Sequence, residues 1–163
     1  MSAQDNLSPK QFLNTTLYRG ISGAKVQQPL GMHWSVEHGL ETQGNREQEG
    51  ATRFLAGDNE DLLPGEKGTI IHAKPTQAGV TWNKKGDKKF LQESGVFSSF
   101  TPKMKEDPYG MYDPMKEHAE AEVPVRPGTP VKVEKLTRVR VTKKSYQTKK
   151  REIRYNPPRE MQA

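Results

Sequence analysis

The chain reads as one α+β domain resting mainly on antiparallel strands, and three features of the sequence say so. The run from Gly68 to Lys74 (GTIIHAK) is rich in β-branched residues and is stopped by Pro75, the composition of a strand. The stretch from Glu120 to Val133 (EAEVPVRPGTPVKV) alternates valines with polar residues around a Pro-Gly-Thr turn, the period of two shown by half-buried strands. Apolar residues at helical spacing occur only in short pieces, so helices are expected to be few and brief.

With 163 residues the chain is long enough for one domain and one modest core. Hydrophobic residues make up 31% and the mean hydropathy is -0.94, so part of the chain is expected to be loop or weakly ordered tail. A net charge of +6 and a pI near 9.5 favour an anionic ligand or partner. The absence of cysteine excludes disulfides, a thiol nucleophile and a Cys-ligated metal. Met1 to Pro9 lacks the basic start and apolar run of a signal peptide. No apolar stretch approaches the ~20 residues of a membrane span, so a soluble, cytoplasmic protein with no membrane partner is expected.

Taken in order, residues 1–14 form a polar lead-in, with Ser8 and Pro9 placed to cap a short helix over Lys10 to Asn14. Thr15 to Gly20 (TTLYRG) begins the main domain, 15–142, as a short strand stopped by Gly20. Ala51, Phe54 and Leu55 make an apolar patch at helical spacing, so Gly50 to Ala56 is the best helical segment of its region. Gly39, Gly44 and Gly50 argue against one continuous helix, each costing ~1 kcal/mol relative to Ala, and a loop is expected around 41–49. Asp58, Glu60, Asp61 and Glu66 lack the glycine and spaced ligands of a calcium loop, so they read as a solvated acidic connector. Val80 to Trp82 is a short edge element, and Lys84, Lys85, Lys88 and Lys89 make the following loop basic. Phe90 to Val96 is expected to contain a helical turn. Pro108, Gly110 and Pro114 exclude regular helix or central strand from 103–119. The alternation after Val133 continues through Val139 and Val141, and 143–163 is expected as a basic extension that Pro157 and Pro158 make irregular over 155–163.

The alternation in the valine-rich stretch puts Glu120 and Glu122 on one face and Val123 and Val125 on the other. Pro127 and Gly128 suit a tight turn, after which Val131 and Val133 are expected to return as the second strand of a hairpin. Two carboxylates on one face resist joint ionisation, and nothing structural requires them there.

Glu-x-Glu-Val followed by Pro-Gly-Thr-x-x-x-Val resembles the final motif of arginine-type mono-ADP-ribosyltransferases. Two upstream motifs of that family have counterparts here in the required order. Tyr18-Arg19-Gly20 resembles the first, an aromatic followed by Arg. His33-Trp34-Ser35 resembles the Ser-Thr-Ser motif, with Val36 and Glu37 standing where the later Thr and Ser would be. The resemblance spans Leu17 to Val133 and implies a split, strongly bent, antiparallel-rich sheet with a few short helices. It also implies NAD as substrate, cleaved at the nicotinamide–ribose bond, with ADP-ribose passed to an acceptor macromolecule such as a protein Arg side chain. With water as acceptor the same site would hydrolyse NAD.

The roles implied by the resemblance are specific. Glu122 stabilises positive charge developing on the ribose, as a carboxylate does in glycoside hydrolysis. Ser35 fixes that carboxylate, and Arg19 anchors the NAD phosphates, with Gly20, His33 and Trp34 beside the cofactor pocket. Glu120 orients or activates the acceptor. Tyr109 or Tyr112 contacts the target from a substrate-recognition turn. No metal is called for. The short single domain also resembles bacteriophage-encoded members of the group, which implies a host protein as acceptor and the host cytoplasm as location. Three alternatives stand beside this reading. One is a catalytically inactive binding or structural protein of the same fold. Another is a basic nucleic-acid-binding protein, using Arg138, Arg140, Lys143, Lys144, Lys149, Lys150, Arg151 and Arg154. The third keeps the fold but changes the acceptor from protein to nucleic acid.

Overall fold

The β-branched run at 68–74 becomes an interior strand of a six-stranded antiparallel sheet. The computed structural model describes residues 13, 15–40, 50–55, 65–77, 89–90, 122–141 and 146–163. Its strands are β1 (Leu17–Ser22), β2 (His33–Ser35), β3 (Lys67–Pro75), β4 (Glu122–Pro124), β5 (Pro130–Val141) and β6 (Tyr146–Gln162), and Gly50–Phe54 forms a 3-10 helix. Their spatial order is β4-β2-β1-β3-β5-β6, with every neighbour antiparallel. The described residues are thus mostly antiparallel sheet with almost no helix, more strand-rich than the α+β expectation.

Alternation along the strands sorts the core onto two faces. Leu17, Ile71, Leu136, Trp34 and Val123 bury on one face, in a cluster that also takes Met161 and Ala163 from the chain end. Opposite edge strands, β4 and β6, therefore contribute to the same core. Backbone bonds from Leu30 N–H to Gln162 O (2.9 Å) and from Gly128 N–H to Ala163 O (2.9 Å) hold that chain end in place. The other face carries a smaller cluster of Ile70, Val139 and Val141, roofed by Ala51 and Leu55 from the 3-10 helix segment. Register irregularities between His72 and Ala73 in β3, and between Val133 and Lys135 in β5, mark bulges, which bend a sheet and increase its twist.

Several expectations change. β4 and β5 are not a hairpin: β4 pairs with β2, β5 pairs with β3 and β6, and three strands separate them. The turn between them forms with Gly128 at φ 84°, but its outward bonds go to Met32 O and to Ala163 rather than across a strand pair. Valine alternation specifies which face a residue takes, and Val123, Val125, Val131 and Val133 are all buried as it requires; it carries no information about the partner strand.

Gly20 does not stop β1 but lies inside it, and glycine is required there because the 3-10 helix packs so closely that a Cβ would collide with the Ala51 carbonyl. The end expected to be irregular is instead the second half of β6. Pro157 and Pro158 are tolerated because they fall in the stretch 155–158 of edge strand β6 that has no β5 partner, between the Val133–Arg159 and Lys135–Arg154 pairs, so their missing N–H groups cost no ladder bond. The helix expected over Lys10 to Asn14, the 41–49 loop, the Val80 to Trp82 element and the 103–119 stretch lie outside the described residues, Leu13 excepted.

Candidate active site

The motif residues fall on three neighbouring strands. Arg19 is on β1, Ser35 ends β2, and Glu122 begins β4, in a sheet where β2 lies between the other two. Ser35 is the backbone partner of Tyr18 on one side and of Glu122 on the other. Two residues far apart in the chain thus meet across a single strand-to-strand spacing, about 4.8 Å. Glu122 is described through its backbone only. Glu120, Tyr109, Tyr112, Lys84, Lys85 and Lys88 lie outside the described residues.

Ser35 is fully buried, and its Oγ accepts a hydrogen bond from Glu37 N–H at 3.1 Å. A hydroxyl has one proton and two lone pairs, so accepting this bond leaves its proton to donate elsewhere. The local turn fixes where the hydroxyl sits. Trp34, 1% exposed, fills the core behind it and donates Nε1–H to Gly31 O at 2.8 Å, so its role is packing.

Arg19 is engaged in an unexpected way. Its Nη1 donates to His33 O at 2.7 Å, and its guanidinium lies against Gly31. Gly31 has φ 113°, and a Cβ there would come within 2.6 Å of Arg19 Cζ. No motif pointed to Gly31, although a glycine three residues before an aromatic-Ser pair is a visible signal of close backbone approach. Successive residues of β1 leave opposite faces, so Arg19 shares the face of Leu17 and Trp34, whereas Ser35 shares the face of Tyr18. The side chains assigned to one pocket by the resemblance therefore leave the strands on opposite sides. Arg19 braces the lead-in to β2 through His33 O.

The Tyr18 face carries a continuous row across the whole sheet. Backbone partners run Glu122, Ser35, Tyr18, His72, Lys135 and Arg154, one from each strand. Tyr18 sits edge-to-face between His38 (5.2 Å) and His72 (5.0 Å). His72 Nε2 is 2.7 Å from Thr137 Oγ1, and Thr137 Oγ1 donates onward to Glu152 Oε1 at 3.4 Å. A carboxylate only accepts, so the Thr137 proton goes to Glu152 and His72 supplies the Nε2–H, leaving Nδ1 as an acceptor. Burial first, then the Lys135 charge and His38, lower the His72 pKa to about 4, so the ring is neutral at pH 7. Burial raises the Glu152 pKa, but Lys135, followed by Arg154 and the Thr137 bond, outweighs it, and the net direction is down.

Sequence reasoning missed the functional potential of Tyr18, His72 and Lys135. The available signal was a lone histidine inside a β-branched run, which alone does not reveal its cross-strand neighbours. Among the described residues no group of His, Asp and Glu is arranged to hold a metal ion, and no helix is long and apolar enough to cross a membrane. No family model, curated protein or solved structure matches the chain.

Proposed function

We propose that the protein is a mono-ADP-ribosyltransferase, with an ADP-ribosyltransferase-like split and bent sheet, that cleaves NAD beside Glu122 and Ser35. The observation that carries this reading is the register: the serine of the second motif and the glutamate of the third are direct backbone partners on β2 and β4. The motif order alone does not require that pairing. The shared core of β4 and β6, which needs a curved sheet, also supports it.

In the proposed reaction the nicotinamide–ribose bond breaks and nicotinamide leaves with the bonding electron pair. The ribose C1′ becomes cationic, and the Glu122 carboxylate stabilises that charge electrostatically. Ser35, with its hydroxyl already oriented by Glu37 N–H, holds the carboxylate. The acceptor nucleophile then bonds to C1′ and gives its proton to Glu120. Arg19 is a positioning residue in this reaction, acting on β2 through His33 O rather than from the Ser35 face. The acceptor proposed is a host protein, with a guanidinium as the nucleophile.

The test is transfer of labelled ADP-ribose from NAD to proteins of a bacterial lysate. Wild type is expected to label at least one protein, and Glu122→Gln to lose labelling by at least a hundredfold, the scale of removing one group that stabilises transition-state charge. Equal labelling by both proteins rules out the assigned role of Glu122.

A further inference from the structure

The Tyr18 face is only partly roofed by the 3-10 helix segment. Toward the start of β1 it opens into a groove of about 490 Å³ between β1, β3, β5 and β6. That volume falls in the range of small-molecule sites, about 300–1,000 Å³. Tyr18 and His72 line it as an edge-to-face aromatic pair. Lys135 and Arg154 stand beside them, with Thr16 and Asn156 supplying polar groups.

The two cations are incompletely engaged. Lys135 Nζ is 3.5 Å from Glu152 Oε1 and Arg154 Nη2 is 3.4 Å from Glu152 Oε2, so both rely on one carboxylate. Those distances exceed the ~2.7–2.9 Å of tight charge-assisted bonds. Glu134, also on the groove, faces Lys74 at 3.8 Å, so the two carboxylates are set against three cations. One positive charge is left over. The neutral His72 adds an aromatic surface without further charge.

We propose that this groove binds a nucleoside monophosphate unit, with the phosphate on Lys135 and Arg154 and the base against Tyr18 and His72. A phosphate offers three acceptor oxygens to two donors that share one weakly held carboxylate, and Arg presents a planar fork suited to it. The aromatic pair favours a ligand with a flat ring over a bare anion. The groove lies on the same face as Ser35 and runs from Tyr18, one strand spacing from Ser35, to Lys135, three spacings and about 14 Å away, so its phosphate end lies apart from Ser35. It stands whether or not NAD is the substrate.

The unit could come from a free nucleotide or from the end of a nucleic-acid strand, and calorimetry on the full chain separates them. The titrants are AMP, adenosine, inorganic phosphate and a 5′-phosphorylated ten-nucleotide single strand. AMP is expected to bind more tightly than adenosine or phosphate. Lys135→Gln and Arg154→Gln are each expected to weaken it roughly tenfold, as loss of a hydrogen bond to a charged group does. The Arg154 side chain is 75% exposed, so Arg154→Gln leaves the fold intact and its effect reports on the groove. Comparable affinity for AMP and the strand supports a free nucleotide, and tenfold tighter binding of the strand supports a strand end. No binding of either, phosphate binding as well as AMP, or insensitivity to both substitutions overturns the proposal.

Discussion

The two halves of the sheet are held together differently. On one side β3, β5 and β6 run 9, 12 and 17 residues and pair along most of their length. On the other, β2 and β4 have three residues each and only short ladders to their neighbours. The short side nevertheless carries the proposed reaction centre. There, side chains fixed to backbone do what a ladder does elsewhere: Arg19 to His33 O, Trp34 to Gly31 O, and Ser35 from Glu37 N–H. A site on short strands keeps backbone edges accessible to a ligand, at the expense of depending on a few individual contacts.

The contrast predicts where substitutions act. Trp34→Ala removes the largest fully buried side chain of the short side and is expected to cost about 3–5 kcal/mol. Hydrogen exchange should then show β2 opening while the amides of β3 and β5 stay protected; uniform loss of protection would erase the distinction between the halves.

The long side has its own weak point, and it responds to pH. His72 has a folded pKa of about 4 against an ordinary 6.5, so between those values the unfolded chain takes up a proton that the fold refuses. Its contribution is complete above pH 6.5 and is lost as pH falls toward 4, by up to roughly 3 kcal/mol. Glu152, with its depressed pKa, adds further loss below its ordinary 4.5. Thermal melts from pH 7 to pH 4 should show this slope in the wild type and a shallower one in His72→Gln. An unchanged slope in the variant would remove His72 from the account.

A smaller effect is expected at Gly31. Gly31→Ala places a Cβ against the Arg19 guanidinium at a positive φ, for a cost of about 2 kcal/mol. Adding Arg19→Ala should recover part of that loss, since the steric conflict disappears; strictly additive losses in a double-mutant cycle would show that the contact does not matter.

How much of this the sequence made legible follows from what each signal encodes. The β-branched run gave β3 within a residue of its bounds, and the valines gave the buried face of 123–133. Partner choice was not legible, since alternation is the same whichever strand lies alongside, and the expected hairpin dissolved for that reason. Pro157 and Pro158 suggested irregular chain because the register jump against β5 that accommodates them within an edge strand is a tertiary property. Arg19, Ser35 and Glu122 were legible as residues in order. The side that each leaves from depended on the Tyr18–Ser35 register, a tertiary fact.

The most direct measurement is nicotinamide release from NAD by the purified wild type, Ser35→Ala and Glu122→Gln, each first shown to melt cooperatively. Release by the wild type that falls in Ser35→Ala and is abolished in Glu122→Gln is the predicted result. Undiminished release by folded Glu122→Gln, or none by the wild type at millimolar NAD with and without lysate, would contradict the reading of β2 and β4 as a catalytic pair.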